Sequence, residues 1–151
     1  MTVKPPSAEA AIAELLSIMA RLRDPDGGCP WDLKQDFDSI VPYTVEEAFE
    51  VAEAVARRDY PELKEELGDL LLQVVFHSQM AREQGLFDFS EVVAVLNDKM
   101  VRRHPHVFGD RTAEDEQAVK VNWEAIKAEE RARKGREYDS ALDGVPEGLP
   151  A

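Results

Sequence analysis

Apolar residues recur at intervals of three and four along most of the chain, the spacing that places them on one face of an α-helix. In the first such segment, over about residues 7–23, they are Ile12, Leu15, Leu16, Met19 and Leu22. Four further helical segments are predicted, beginning at Thr44 and at about residues 61, 91 and 113. No segment shows the alternation of apolar and polar residues that is typical of a half-buried strand. We therefore predict an all-α fold of about five helices.

Turn and capping residues indicate the limits of these helices. Residues 24–43 contain several glycines and prolines and are predicted as a loop. Thr44 would open the second helix, and Glu47 three residues later fits a capping box. Residues 58–61 predict a short turn before the third helix, so the second and third helices should run antiparallel. Gly85 is predicted to end the third helix in the left-handed conformation.

The chain is long enough to form one domain with a buried core. It has 151 residues, of which 44% are hydrophobic, although long helices in a chain of this size often share their core with a partner subunit. Residues 70–76 are apolar on nearly every side of the third helix, which predicts burial all round. We assign residues 1–134 to an antiparallel helical bundle that dimerisation completes. Residues 135–151 are rich in glycine and proline and are predicted as an irregular tail or linker.

Two groups of acidic residues lie on the helices that the short turn joins. Glu46, Glu47 and Glu50 are on the second helix, and Glu66 and Asp69 are on the third. At about 100° and 1.5 Å per residue, the members of each group share a helix face, roughly 16 Å from the turn on one helix and 12 Å on the other. The carboxylates of Glu47, Glu50, Glu66 and Asp69 should therefore meet. Oxygen ligands alone favour a hard cation, Mg²⁺ or Mn²⁺.

Simpler interpretations of the same acids stay open. With 31 Asp and Glu residues in the chain, some acid pairs at helical spacing arise by chance and face solvent. Glu47 could serve as the capping residue of the second helix rather than as a ligand. A di-iron carboxylate bundle is disfavoured because it needs Glu-x-x-His motifs, and none of the three histidines has a glutamate three residues before it.

A compact basic group ends the fourth predicted helix. Lys99, Arg102 and Arg103 fall on one face, and the planar donors of two arginines suit a polyphosphate. Cations in the last turn of a helix also interact favourably with the helix dipole and need no ligand. Both interpretations remain possible from these residues alone.

An aromatic residue follows a turn rich in glycine and proline. Trp31 comes after Gly27-Gly28-Cys29-Pro30, where it is placed to stack on a nucleobase, and Lys34 would then reach the edge of the base or a phosphate. Trp31 could equally close the end of the bundle. Cys29 is the single cysteine, so the chain has no internal disulfide.

Charge and hydropathy narrow the classes of partner. A net charge of −13 argues against nucleic acid or an anionic membrane as the main ligand. No apolar run reaches 18 residues and no secretory signal is present, so we predict a cytoplasmic protein without a membrane partner.

Five separated blocks of sequence, in order, resemble the motifs of one enzyme family. They are Leu22-Arg23-Asp24-Pro25 with Gly28-Cys29-Pro30-Trp31-Asp32, Tyr43-Thr44-x-Glu46-Glu47-x-x-Glu50, Glu65-Glu66-Leu67-Gly68-Asp69, Asp98-Lys99, and Arg102-Arg103-His104-Pro105-His106-Val107-Phe108. The chain resembles the MazG family of nucleoside triphosphate pyrophosphohydrolases. The resemblance runs from about residue 12 to Asn122-Trp123-Glu124-x-x-Lys127 and on to Ala141-Leu142-Asp143, so it covers nearly the whole chain.

The resemblance implies an all-α fold, Mg²⁺ dependence, a dimer or higher homo-oligomer, and hydrolysis of a nucleoside triphosphate to the monophosphate and pyrophosphate. The metal ligands it implies are Glu47, Glu50, Glu66 and Asp69. Glu46 would lie beside the metal ligands or orient the attacking water. The phosphate-binding residues it implies are Lys99, Arg102, Arg103 and Lys127. Trp31 and Lys34 would face the nucleoside.

Two other classes of function compete with this one. A non-enzymatic helical module would use its apolar faces to oligomerise and its acidic face to bind a cation or a basic partner. A cation-storage bundle would bind metal without turnover. A pure docking surface needs neither acids at matched depth nor a compact basic group, which favours the enzyme over that module.

Overall fold

The computed structural model describes residue 4 and residues 7–110 and 114–137. Over these residues the chain forms helices and no strand, so the predicted all-α class is confirmed. The helices are α1 (Ala8–Leu22), α2 (Pro30–Leu33), α3 (Phe37–Ala56), α4 (Tyr60–Glu83), α5 (Phe89–Arg103), α6 (Pro105–Phe108) and α7 (Glu116–Glu137). They belong to two compact units, one extending to Val92 and the other beginning at Val93, which are described separately.

The first unit is built around α4, which packs against α3 and, less extensively, against α1. Its core consists of five buried side chains: Met19, Ile40, Val75, Phe76 and Met80. Burying a side chain of this size is worth about 1.5–3 kcal/mol, so the three helices are joined mainly by these contacts. The acidic groups predicted from the sequence lie on α3 and α4, the two helices in closest contact.

The prediction of a loop over residues 24–43 is wrong. This segment contains α2 and the first turns of α3, which begins at Phe37. Asp36 caps α3 by accepting a hydrogen bond from the Ser39 backbone N–H, and Ser39 Oγ accepts one from Asp36 N, each at 2.8 Å. Pro42 lies inside the helix, where it costs about 3 kcal/mol. Burial of Ile40 in the core contributes to offsetting this cost.

Thr44 therefore does not cap a helix. It lies in the middle of α3, and its hydroxyl donates a hydrogen bond to the Ile40 carbonyl at 3.3 Å. The alternative role of Glu47 as a capping residue is consequently wrong, because Glu47 sits in the third turn of a helix that has already begun. Its carboxylate is free for another purpose.

Other predicted limits are close to the observed ones. Ser7 caps α1 by accepting from Ala10 N, and Asp59 caps α4 by accepting from Glu62 N. Gly85 follows the end of α4 with φ +70°, as predicted. Three residues connect α3 to α4. The short helix α6 was not predicted.

The limits of the last helix differ from those predicted. α7 begins at Glu116 and continues to Glu137, three residues into the segment predicted as an irregular tail. Ala113, where this helix was predicted to begin, and residues 138–151 lie outside the described part of the chain. The assignment of residues 1–134 to one domain stays a prediction.

The prediction that residues 70–76 are buried on all sides is also wrong for a single copy of the chain. Gln73, Val75 and Phe76 are buried, but Leu71 is 37% and Val74 40% exposed. Leu67 and Leu72 of the same helix are also exposed, so α4 carries an apolar surface that the described residues leave uncovered. None of the described helices is long and apolar enough to cross a membrane.

The loop that carries Trp31 is fixed by a close backbone approach at Gly28. Gly28 N donates to Asp24 O, and Cys29 N donates to Leu22 O, each at 2.9 Å. A Cβ atom on Gly28 would lie 2.4 Å from Asp24 O and 2.5 Å from Leu22 O, which is closer than non-bonded atoms approach. Only glycine fits here, so the loop turns tightly against the end of α1.

Candidate active site

Three carboxylates from two helices converge in the first unit. Glu47 of α3, and Glu66 and Asp69 of α4, each offer one oxygen atom, and these atoms lie within 4.8 Å of one another. The three-residue connection between the helices places the acids at the same depth. The structure thus brings together three of the four acids predicted as metal ligands, and the group can bind a metal ion.

The burial of this carboxylate group is uneven. Glu66 is buried, Glu47 is half-buried and Asp69 is exposed. Oε2 of Glu47 is shielded from solvent and has no hydrogen-bond partner among the described residues. A buried carboxylate oxygen without a partner is costly, and a proton, a water molecule or a cation would satisfy it.

Hydrogen bonding, burial and neighbouring charges raise the pKa of two of these acids. The Glu62 carboxylate, followed by burial and by Glu47, raises the pKa of Glu66 to about 7. Burial, followed by the charge of Asp69, raises the pKa of Glu47. Both shifts have the direction expected of crowded, partly buried carboxylates.

Glu50 and Glu46 lie next to this group without joining it. Both are exposed, and the negative charges of both add to the raised pKa of Glu47. Glu50 borders a neighbouring cavity of about 170 Å³. The residues lining this cavity are Glu50, Glu53, Ala54, Arg57, Asp59 and Glu62. The fourth predicted ligand therefore faces an adjoining acidic cavity.

Glu62 was not predicted as a site residue, although the sequence contained a signal for it. It lies four residues before Glu66, so the two side chains are neighbours on one face of α4. Glu62 belongs both to the cavity beside Glu50 and to the carboxylates that raise the pKa of Glu66. It therefore connects the two acidic regions.

The basic group lies in the second unit, where acidic partners hold it. Arg102 Nε donates to Asp98 at 2.8 Å, and Arg102 Nη1 donates to Glu130. Arg103 Nη2 donates to the other oxygen of Glu130 at 2.7 Å. Lys99 is half-buried on the same helix. Glu130 was not predicted, since it lies 27 and 28 residues away from the arginines.

Lys127 packs against an aromatic ring of its own helix. Its Nζ atom lies 4.3 Å from the centroid of Trp123, and the Arg103 guanidinium lies 6.0 Å from the same ring. Trp123 Nε1 and Arg103 Nε are buried and lack a hydrogen-bond partner in the described part of the chain. The second unit thus combines cations, an aromatic ring and unused donors.

Trp31 combines a packed edge with an open surface. Its ring makes edge contacts with Tyr43 and Phe76, at centroid distances of 5.7 and 6.4 Å, and the residue is 50% exposed. Lys34 is exposed at the end of α2. Trp31 therefore covers part of the core, in agreement with the prediction that it closes the end of the bundle. It also keeps the exposed surface that stacking on a nucleobase would require.

Comparison with known proteins supports the resemblance seen in the motifs. The family model of the MazG nucleotide pyrophosphohydrolase domain matches residues 35–108. The chain is 56% identical over 140 residues to a nucleoside triphosphate pyrophosphohydrolase of Escherichia coli (strain K12), a match that covers 93% of this chain and 52% of that protein. It is 50% identical over 138 residues to the nucleoside triphosphate pyrophosphohydrolase/pyrophosphatase MazG of Thermotoga maritima, covering 91% and 51%.

A solved structure extends the similarity to the fold. The crystal structure of a mazG-related protein from Thermotoga maritima matches with a TM-score of 0.63 and 27% identity, covering 77% of this chain and 98% of that one. The chain spans about half the length of the curated relatives described above. Residues 35–108 include the carboxylate group and the basic group, so the match coincides with the chemistry described above. The chain belongs to the MazG family.

Proposed function

We propose that this protein hydrolyses nucleoside triphosphates to the monophosphate and pyrophosphate in a Mg²⁺-dependent reaction. The convergence of Glu47, Glu66 and Asp69, with a buried oxygen that lacks a partner, is the observation that supports this most directly. The group lies within the segment that matches a nucleotide pyrophosphohydrolase domain. Two relatives are named for the same activity.

The residues present fit a hard divalent cation. Glu47, Glu66 and Asp69 would hold the ion, with Glu50 as a further ligand from the neighbouring turn of α3. Their oxygens match the preference of Mg²⁺, and of Mn²⁺ as the alternative. When bound, the ion supplies electrostatic stabilisation of the phosphate oxygens at the reacting centre. The raised pKa values of Glu66 and Glu47 show that their carboxylates are crowded and shielded from water, an environment in which a bound cation would stabilise the ionised forms.

Glu46 is the residue we assign to the attacking water. It is exposed on α3 next to Glu47, and its carboxylate can accept or direct a proton. Glu50 is the alternative for this role. Water attack at the α-phosphorus would release pyrophosphate as the leaving group.

Charged and aromatic residues would bind the rest of the substrate. We assign the phosphates to Lys99, Arg102, Arg103 and Lys127. We assign the nucleoside to Trp31 and Lys34, because Trp31 keeps half of its surface exposed. Substrates would include canonical, deoxy or modified triphosphates.

A second copy of the chain would complete the bundle. Uncovered apolar residues recur at helical spacing on the first unit, with Val45 and Phe49 on α3 and Leu67, Leu71 and Val74 on α4. Phe49 is 71% exposed, an unusual state for an aromatic side chain of a globular protein. We propose a homodimer, or a higher oligomer, that covers this face. The cytoplasmic location stays a prediction.

Pyrophosphate release from a panel of canonical, deoxy and modified triphosphates, with and without Mg²⁺, tests the function. Asp69→Asn should reduce the rate at least about a hundredfold, since a metal ligand is lost. Glu65→Gln changes an exposed neighbour by the same charge and serves as the control. Mg²⁺ binding without release of pyrophosphate from any triphosphate would instead favour the cation-storage bundle.

A further inference from the structure

Glu130 connects the two arginines of the basic group through the two oxygens of one carboxylate. Oε2 accepts from Arg103 Nη2 at 2.7 Å, and Oε1 accepts from Arg102 Nη1. The Glu130 side chain is 12% exposed, against 17% for Arg103 and 39% for Arg102. These are contacts within the second unit, between the end of α5 and α7.

This arrangement is not what two adjacent helical residues adopt by themselves. Side chains at positions i and i+1 diverge by about 100° around a helix, and like charges repel. Here a single carboxylate draws both guanidinium groups to one point. Glu130 thereby fixes the separation and orientation of two long, flexible side chains.

The contact leaves most of the guanidinium donors available. Each guanidinium carries five N–H donors. Arg102 uses Nε for Asp98 and Nη1 for Glu130, and Arg103 uses Nη2 for Glu130. Arg103 Nε is buried without a partner among the described residues. Arg102 is 39% and Arg103 17% exposed, so guanidinium surface remains available to an anion while Glu130 stays in place.

We propose that Glu130 is a positioning residue that holds Arg102 and Arg103 as a single two-guanidinium fork for the polyphosphate of the substrate. This inference rests on the proposed function, which assigns both arginines to phosphate. Arg103 lowers the pKa of Glu130, so the carboxylate is ionised at neutral pH and the fork is present under working conditions.

Glu130→Gln tests the proposal, with Glu129→Gln as a control. Glu129 is exposed on the same helix, so its substitution changes the net charge equally without touching the fork. Binding of inorganic tripolyphosphate at fixed Mg²⁺ is measured by calorimetry, and KM and kcat are measured with a triphosphate. We expect Glu130→Gln to weaken tripolyphosphate binding and raise KM about tenfold, with kcat changed less than about twofold. The control should change neither quantity by more than about twofold.

Two outcomes would overturn the proposal. Tighter tripolyphosphate binding by Glu130→Gln would mean that Glu130 blocks the fork as an internal anion. Unchanged binding would mean that the contact only joins α5 to α7. If Glu130→Gln does not fold, Glu130→Asp replaces it, because a side chain one methylene shorter keeps the charge but reaches only one guanidinium. The same weakening is then expected, and unchanged binding overturns the proposal.

A double-mutant cycle with Arg103→Gln separates positioning from a general charge effect. In the Arg103→Gln background the fork no longer exists, so adding Glu130→Gln should cause less than about a twofold further loss. Fully additive losses would overturn the proposal. Tripolyphosphate binding requires no turnover. A wild-type chain that binds tripolyphosphate but hydrolyses no triphosphate would contradict the proposed function. The binding data would still test the role of Glu130 in that case.

Discussion

Arg23 and Glu83, 60 residues apart in the sequence, form a two-point ion pair in the first unit. Nη2 of Arg23 lies 2.6 Å from Oε1 of Glu83, and Nε lies 3.1 Å from Oε2. The same guanidinium donates to the backbone carbonyls of Asp32 and Gln35, at 2.6 and 3.0 Å. One side chain, 10% exposed, thus joins the ends of α1 and α4 to the segment that carries Trp31.

Replacing Arg23 should destabilise the protein. Arg23→Met removes both contacts to Glu83 and leaves two backbone carbonyls without their donor. We expect a loss of about 2 kcal/mol in the free energy of unfolding, less than for a fully buried pair because Glu83 is 33% exposed. Urea denaturation measures it. Arg21→Met, an exposed arginine two residues earlier, is the control, and equal stability of the two variants would contradict the prediction.

The cost of Arg23→Met should depend on pH. Arg23 lowers the pKa of Glu83, so the ion pair adds stability above the ordinary glutamate pKa of about 4.5. This contribution is lost as the pH falls through the lowered pKa of the folded state. The stability difference between wild type and variant should therefore shrink as the pH falls below about 4.5. A difference that stays constant over this range would contradict the ion-pair interpretation.

Replacing Glu66 should have opposite effects on stability and on metal binding. Because the folded state raises the pKa of Glu66 to about 7, its ionisation destabilises the metal-free protein as the pH rises from 4.5 through 7. Glu66→Gln should therefore melt above the wild type at pH 8 without metal. At a hundredfold excess over Kd, Mg²⁺ should stabilise the wild type by about 3 kcal/mol and the variant much less. Glu65→Gln is the matched control and should respond to Mg²⁺ as the wild type does. If Glu66→Gln is stabilised by Mg²⁺ as much as the wild type, the assignment of Glu66 as a ligand is refuted.

Mg²⁺ binding should release protons. A cation displaces the proton that Glu66 carries below about pH 7, so the apparent affinity should rise between pH 6 and 8. Calorimetry in two buffers of different ionisation enthalpy counts the protons released. The same Mg²⁺ affinity at both pH values, with no proton release, would contradict the prediction.

The uncovered apolar face should control assembly. Phe49→Glu places a charge among the exposed apolar residues of α3. We expect this variant to be a monomer of 17.0 kDa, whereas the wild type should contain two or more chains. Light scattering after size exclusion measures the mass. Ala10→Glu adds the same charge in the first turn of α1, where an acid suits the helix, and should not change assembly. A monomeric wild type would contradict the proposed oligomer.

Local sequence patterns were sufficient for the features that depend on neighbouring residues. The apolar spacing predicted the all-α class, and helix geometry was enough to bring Glu47, Glu66 and Asp69 together. Gly85 ended α4 as a glycine with positive φ should.

Features that depend on distant residues could not be predicted. The start of α3 is set partly by the burial of Ile40 against α1 and α4, and this outweighs the local signal of Pro42. The pairing of Glu130 with Arg103 requires α7 to return to the end of α5, which no short motif encodes. The exposure of Leu71 depends on whether another chain covers the apolar residues of α4. A run of apolar residues is found both in protein cores and at subunit interfaces, so the sequence pattern does not separate the two.

The absence of space for a side chain at Gly28 limits how the proposed nucleoside contacts can be altered. Backbone atoms fill the space that any substituent would need, so the Trp31 platform takes its position from the main chain. Saturation mutagenesis at residue 28 should return misfolded clones. A library that diversifies Trp31 and Lys34 keeps the scaffold intact, and under the proposed function its members should differ in base preference.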